Sequence, residues 1–248
     1  MPRSILALYT RGMNKLILII LIATTPLTWA KGPAVFIGKA LESKSKTNIY
    51  NESHQVEYNG FLVKKVITTY TDPSGKKIAK LTSSFNDNSQ LPDTEFIDLR
   101  TGSKEITSLK NNEYLITTIS PSGKEKQGSL SVKDNLVCGQ GYHNFIIKSM
   151  DGFKVGEKRE LKFIIPSMRD YFTFDLTYLG PLDKSNLDEV TFRLDITNWI
   201  LKMFADKIQV TYSKKDKVLL RYEGLTNLKN DKGDQYDAIL TYTFPEGR

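Results

Sequence analysis

The sequence predicts a mainly β protein, a curved antiparallel sheet or half-barrel with two short covering helices. Three observations carry that expectation. Residues 190–196 (Val-Thr-Phe-Arg-Leu-Asp-Ile) alternate apolar and polar side chains without interruption, the period-two signature of a strand with one buried and one wet face. Pro-Ser-Gly-Lys occurs at 73–76 and again at 121–124, where Pro presets φ and Gly supplies a positive one, so two tight hairpins are marked. Strand patterns are not separated by helical patterns of crossover length, which argues against a doubly wound sheet and its nucleotide site.

The one-faced pattern recurs along the chain. Phe172, Phe174, Leu176 and Tyr178 alternate with Thr173, Asp175 and Thr177, and Ile208, Val210 and Tyr212 alternate with Gln209 and Thr211. A sheet with one solvated face is antiparallel as a rule. Asn59-Gly60 lies between 54–58 and 61–63 and reads as a two-residue hairpin loop needing positive φ. Further strands are expected near 66–71, 77–83, 105–109, 114–120, 128–132, 159–165, 218–225 and 238–244. A helix over 140–150 places Tyr142, Phe145, Ile146 and Ser149 on one face and stops at Asp151-Gly152. A second, over 197–207, does the same with Trp199, Ile200, Met203 and Phe204, capped by Thr197 or Asn198.

Residues 1–30 have the layout of a secretory signal. Arg3, Arg11 and Lys15 precede an apolar run beginning at Leu16, Pro26 breaks it, and Thr28-Trp29-Ala30 puts small residues at −3 and −1 of a cleavage site after Ala30. Met13 is an alternative start. The uncharged stretch from Leu16 to Ala30 falls short of the ~20 residues that span a bilayer as a helix. The expectation is a periplasmic or secreted protein with no stable transmembrane span after cleavage, and a single β-rich domain over 31–248 in which a division near Leu136 stays open.

Composition narrows the function classes. A chain of 248 residues with 40% hydrophobic and 25% charged content is not disordered, collagenous or multi-spanning. Loss of Arg3, Arg11 and Lys15 takes the net charge from +7 to +4. Both signs are interspersed, whereas a nucleic-acid binder concentrates Lys and Arg on one face with aromatics for stacking. Lys76-Lys77 and Lys214-Lys215 fall in turn-like stretches and read as solvated loop tips. Cys138 is the only cysteine, which excludes an intramolecular disulfide, a thiolate zinc cage and a Cys-x-x-Cys pair.

The reactive residues form no convincing catalytic or metal constellation. Cys138 and His143 invite a thiol–imidazole reading, but a small buried Cys ahead of a helix accounts for the spacing. His54 and Glu57 point to opposite faces of one strand. The Ser-x-x-Lys matches at 43–46 and 74–77 lack the apolar surroundings that a serine–lysine nucleophile needs. The oxygen-rich stretches 86–93 and 230–234 do not spell a calcium loop and contain turn formers. Arg169-Asp170 after Pro166 reads as an exposed ion pair, or as a charge at a strand entrance that meets a head group. Twelve Tyr, twelve Phe and two Trp either fill the core or line a cavity under the sheet.

The run Gly152-Phe153-Lys154-Val155-Gly156-Glu157, the strand ending Ile165-Pro166-Ser167-Met168-Arg169, and the hairpin 208–213/218–224 before Thr226-Asn227 together carry a resemblance. Over roughly 136–245 the chain resembles uncharacterised exported bacterial β-rich domains of unknown function, and more distantly the half-barrel of periplasmic lipoprotein-carrier proteins. In those carriers a curved sheet plugged by helices holds acyl chains. The resemblance rests on the spacing of Gly, Pro and strands, and implies no catalytic residue and no cofactor. Taken with the one-faced strands and the covering helices, it leads to the expectation of a non-enzymatic envelope protein that binds a lipid or lipid-modified ligand in a groove lined by Phe172, Phe174, Trp199, Met203 and Phe204, with Arg169 as a charge that meets a head group. The alternative is a structural or interaction protein that docks on an envelope protein and has a filled core; a hydrolase using Cys138 or His143 is a third.

Overall fold

The structure is a computed structural model that describes residues 35–59, 62–86, 88–196 and 208–245. Its strands are β1 (Val35–Glu42), β2 (Asn48–Asn59), β3 (Leu62–Thr71), β4 (Lys77–Ser84), β5 (Asp93–Asp98), β6 (Lys104–Lys110), β7 (Glu113–Ile119), β8 (Glu125–Ser131), β9 (Leu136–Cys138), β10 (Lys158–Ile165), β11 (Asp170–Gly180), β12 (Glu189–Ile196), β13 (Ile208–Ser213), β14 (Val218–Lys229) and β15 (Gln235–Thr243). All fifteen belong to one sheet in the order β8-β7-β6-β5-β4-β3-β2-β1-β15-β14-β13-β12-β11-β10-β9. The sheet is a meander, as the two Pro-Ser-Gly-Lys hairpins foretell. Gly75 and Gly123 take φ of +91° and +78° in turns with the same hydrogen-bond pattern.

Two pairings depart from the simple meander and define the architecture. β1 pairs antiparallel with β15, joining the two ends of the chain in mid-sheet, and the three-residue β9 pairs parallel with β10. Consequently β8 and β9, neighbours in sequence, are the two edges of the sheet.

One face is continuous across the strands. Cross-strand partners Glu105, Phe96, Leu81, Thr68, His54 and Phe36 form a row from β6 to β1. Leu240, Tyr222, Val210, Phe192 and Tyr178 continue that face from β15 to β11. Helix α1 (Gly141–Ser149) touches this face from both sides. Gln140 Nε2 donates to Thr68 Oγ1 on β3 (3.1 Å), and His143 Nδ1 bonds Tyr212 OH on β13 (2.7 Å). Since β2, β1, β15 and β14 lie between those strands, the sheet curls around the helix. Phe145, Ile146 and Met150 of the helix segment pack with Leu161, Phe174, Leu176, Phe192 and Val210. A second cluster around Tyr50, Tyr70, Ala79 and Leu240 fills the opposite wall.

The curl is completed by overlap, not by a ladder. Val137 faces the helix, so its neighbours Leu136 and Cys138 lie on the back of the sheet. There, with Ile164, they pack on Leu91, Tyr114 and Ile116, and Ile116 is in register with Thr107 on the inner face. The back of the β9–β10 edge is therefore tucked under the inner face of β6–β8. Cys138 N donates to Gln90 O across this seam at 3.1 Å.

Several expectations are corrected. α1 continues into a 3-10 turn, Met150–Gly152, so the expected 140–150 helix is present; the second, over 197–207, lies outside the described residues. One α-helix, not two, stands among the described residues. Asn59 pairs with Leu62, which makes Asn59 a ladder residue where a turn residue was expected. Strands β1, β5 and β9 lie outside the expected set: three apolar residues in succession at 35–37 and at 136–138 break the alternation, and the buried positions of β5 include the polar Thr94 and Asp98.

Gly141 abuts the seam: a Cβ there would lie 2.0 Å from Gln90 O. Gly141→Ala is expected to destabilise the protein by about 2–3 kcal/mol through overpacking. Urea unfolding of the two proteins checks this, and an unchanged midpoint would mean that the 85–92 loop yields freely.

Candidate functional site

Two polar places stand out within the curl. The first is a buried hydrogen-bond relay on the row that crosses β2 and β3. In a strand, residues two apart share a face, which places Glu52 beside His54. His54 Nε2 lies 2.8 Å from Glu52 Oε2, Thr68 Oγ1 lies 2.9 Å from His54 Nδ1, and Tyr242 OH donates to Glu52 Oε2 at 3.3 Å. Gln140 Nε2 donates to the same Thr68 Oγ1, so the relay extends to the residue that precedes α1. Phe36 stacks on the His54 ring at 4.2 Å.

Hydroxyl, imidazole and carboxylate in that order resemble an activated nucleophile. Thr68, however, has 0% exposure and His54 and Glu52 have 5% and 6%, so no substrate reaches the hydroxyl. The relay instead fixes the start of α1 on β3. His54 and Glu57 fall on opposite faces, as the sequence predicts; the partner not named from the sequence is Glu52, for which the two-residue spacing is the available signal.

Cys138 and His143 are not brought together. Cys138 sits in the seam, where burial pushes its thiol up to about 11 against the opposing hydrogen bonds of Tyr114 and Thr107. His143 bonds Tyr212, and burial, aided by the nearby His54, pushes its imidazole down to about 3.

The second place is an open cavity of about 800 Å³ at the end of the curl where the β5–β6, β7–β8, β10–β11 and β14–β15 turns converge. Phe96 and Ile119 contribute apolar wall. Six cationic side chains (Arg100, Lys104, Lys124, Lys126, Arg169 and Lys229) line it against three acidic ones (Asp98, Glu105 and Asp231). Asp98 is engaged by Arg100 through two guanidinium nitrogens, Nε at 3.0 Å and Nη2 at 2.7 Å. Burial raises the Glu105 carboxyl above its usual range, opposed by Lys229. A depression of about 640 Å³ lined by Asn88, Asn112 and Asn135 has no such excess, with only Lys133 and Asp134 charged.

Arg169 reaches the cavity because of its local backbone. The 3-10 turn Pro166–Met168 sits against β6 and β7, and Arg169 follows it with φ of +55°. Gly128 on β8 makes room, since a Cβ there would lie 3.1 Å from Arg169 Cβ. Arg169 Nη1 donates to Thr118 Oγ1 at 3.3 Å and to Ser167 O at 3.4 Å. The expected ion pair with Asp170 does not form; Asp170 Oδ1 accepts from Tyr171 N.

Of the expected groove residues, Arg169 lines this cavity. Phe174 is 6% exposed within the core, and Phe172 packs half-buried against that core, paired across the ladder with Phe163. Trp199, Met203 and Phe204 lie outside the described residues. Among the described residues, the open volume at the turn end of the curl is lined by Arg169 and not by Phe172 or Phe174. Lys126 lies between the expected turn at 121–124 and the expected strand at 128–132, in the part of β8 where no apolar alternation marks a strand.

His143 generates a pH prediction. Its folded pKa of about 3 lies below the unfolded value near 6.5, so the unfolded chain binds the proton better between them and stability falls as pH drops through 6.5. Relative to His143→Gln, the wild-type protein is expected to lose about 1 kcal/mol per pH unit between pH 6 and 4. Urea unfolding at three pH values measures this; parallel declines would place His143 in contact with solvent.

No family model matches the chain, and no curated protein matches it. Among solved structures the chain is similar to a β-barrel-like protein of a domain of unknown function from Brucella abortus. That match is 11% identical and covers 87% of this chain and 96% of that one at a TM-score of 0.40. It is also similar to a candidate lipoprotein from Parabacteroides distasonis, 11% identical over 86% of this chain and 94% of that one at a TM-score of 0.29.

Proposed function

We propose that this is a non-catalytic, exported envelope protein that binds a hydrophobic or lipid-like ligand in the cavity at the turn end of its curled sheet. The cavity itself carries the reading. Its volume of about 800 Å³ falls within the ~300–1,000 Å³ typical of small-molecule sites, and it joins apolar wall at Phe96 and Ile119 to a charged entrance at Arg169. The helix plug fits the same role: α1 fills the inner half of the curl and leaves the turn end open. Export is supported by the signal-like residues 1–30, and no helix among the described residues is long and apolar enough to cross a membrane. Against catalysis stand the inaccessible Thr68 hydroxyl and the buried Cys138 thiol.

The competing reading is a docking protein. It draws on the free edge of β8, five of whose seven residues are exposed, because an unpaired edge templates another strand.

Native mass spectrometry of the protein purified from its host's periplasm separates the two. The expected outcome is an extra, releasable mass in the lipid range that is lost from an Ile119→Glu variant, whose charge enters the apolar wall. A bare chain in both proteins, recovered instead with a stoichiometric protein partner, would overturn the ligand reading.

A further inference from the structure

We infer that the ligand of this cavity carries an oxyanion head group, gripped by Arg169 with Lys104, Lys124 and Lys126 around it. The inference rests on the cavity being the ligand site and names the chemistry it selects.

The arginines supply the sharpest observation. Arg100, Arg159, Arg193 and Arg221 each pair with a carboxylate two residues away, namely Asp98, Glu157, Asp195 and Glu223. Among the described residues Arg169 is the one arginine without such a partner. Its two contacts, to a hydroxyl and a carbonyl, are long, neutral and both made by Nη1, which leaves Nε and Nη2 undirected. Those two donors form the planar fork that matches a carboxylate, phosphate or sulfate edge.

The backbone around it is arranged at a cost. A non-glycine residue at φ +55° is disfavoured, and such strain concentrates at ligand sites. The glycine at 128 is what admits the Arg169 stem beneath β8. Lys104, Lys124, Lys126 and Lys229 likewise have no carboxylate within ion-pair distance among the described residues. Of the three acids on the wall, Asp98 is neutralised by Arg100 and burial disfavours the charge on Glu105. The entrance is therefore strongly positive, and an anion arriving there needs no desolvated counter-charge of its own.

Titration calorimetry on the purified protein with three probes tests this: dodecyl phosphate and dodecyl maltoside below their micelle concentrations, and inorganic phosphate. Dodecyl phosphate is expected to bind at least about tenfold more tightly than dodecyl maltoside, roughly the effect of one charge-assisted hydrogen bond. Arg169→Gln should lose about tenfold for dodecyl phosphate and little for the maltoside, and the exposed Lys126→Gln should lose a few-fold while unfolding at the wild-type temperature. Arg193→Gln, remote from the cavity, should change neither. Equal binding of phosphate and maltoside amphiphiles, unaffected by Arg169→Gln, would overturn the anionic head group while leaving the lipid-like ligand in place. Inorganic phosphate binding as tightly as dodecyl phosphate would keep the oxyanion site and overturn the lipid-like ligand. Binding of none of the three would overturn both.

Discussion

The structure depends on how a fifteen-strand sheet disposes of its two edges. Large twisted sheets curl, and a free edge invites intermolecular pairing. Here β8 and β9 are consecutive in sequence and meet after one full turn of the curl, yet no ladder joins them. The back of β9 and β10 slides beneath the inner face of β6–β8, and Leu136, Cys138 and Ile164 are buried against Tyr114 and Ile116. Each fully buried side chain of this size contributes about 1.5–3 kcal/mol. An apolar seam of that kind replaces hydrogen bonds that the geometry does not supply, and it hides the β9 edge inside the protein.

The overlap also decides where chemistry can sit. Tucking β10 under β7 carries the β10–β11 turn to the inner side of β6 and β7, which brings Arg169 to Thr118 and Gly128. Had the edges closed by a ladder, the same turn would stand on the rim beside β8 and Arg169 would face solvent. The seam and the charged entrance are thus one arrangement seen from two sides. Gly141, pressed on Gln90, shows the same tolerance at the helix start.

Much of this was legible in the sequence and some was not, for physical reasons. Strands such as β11 and β12 announce themselves because their two faces differ in polarity, although Thr177 and Thr191 on the polar face are themselves buried. The hairpins at Gly75 and Gly123 are legible because positive φ selects glycine. β9 was illegible because its three residues are buried on both faces, Val137 toward α1 and its neighbours toward the seam, so no alternation survives. The aromatic excess divides by place in the fold: Phe174 and Phe192 lie in the core, and Phe96 lies on the cavity wall. Glu52 shares a strand face with His54, but the spacing alone does not distinguish a buried pair from two residues on a solvated face. Arg169 could be singled out, but its partner could not, since Thr118 lies 51 residues away along the chain.

The row from Glu105 through Phe96, Leu81, Thr68 and His54 to Phe36 unites these parts. At one end it forms the cavity wall; at the other it carries the relay that anchors α1. Along it the environment changes from charged and open to polar but sealed, with two apolar residues between. In the proposed reading, a ligand entering at Arg169 would meet cations first, then Phe96, and would stop short of the buried Thr68, to which Gln140 donates. The relay is sealed from solvent, with Thr68, His54 and Glu52 all buried, whereas at the entrance two guanidinium nitrogens of Arg169 remain undirected.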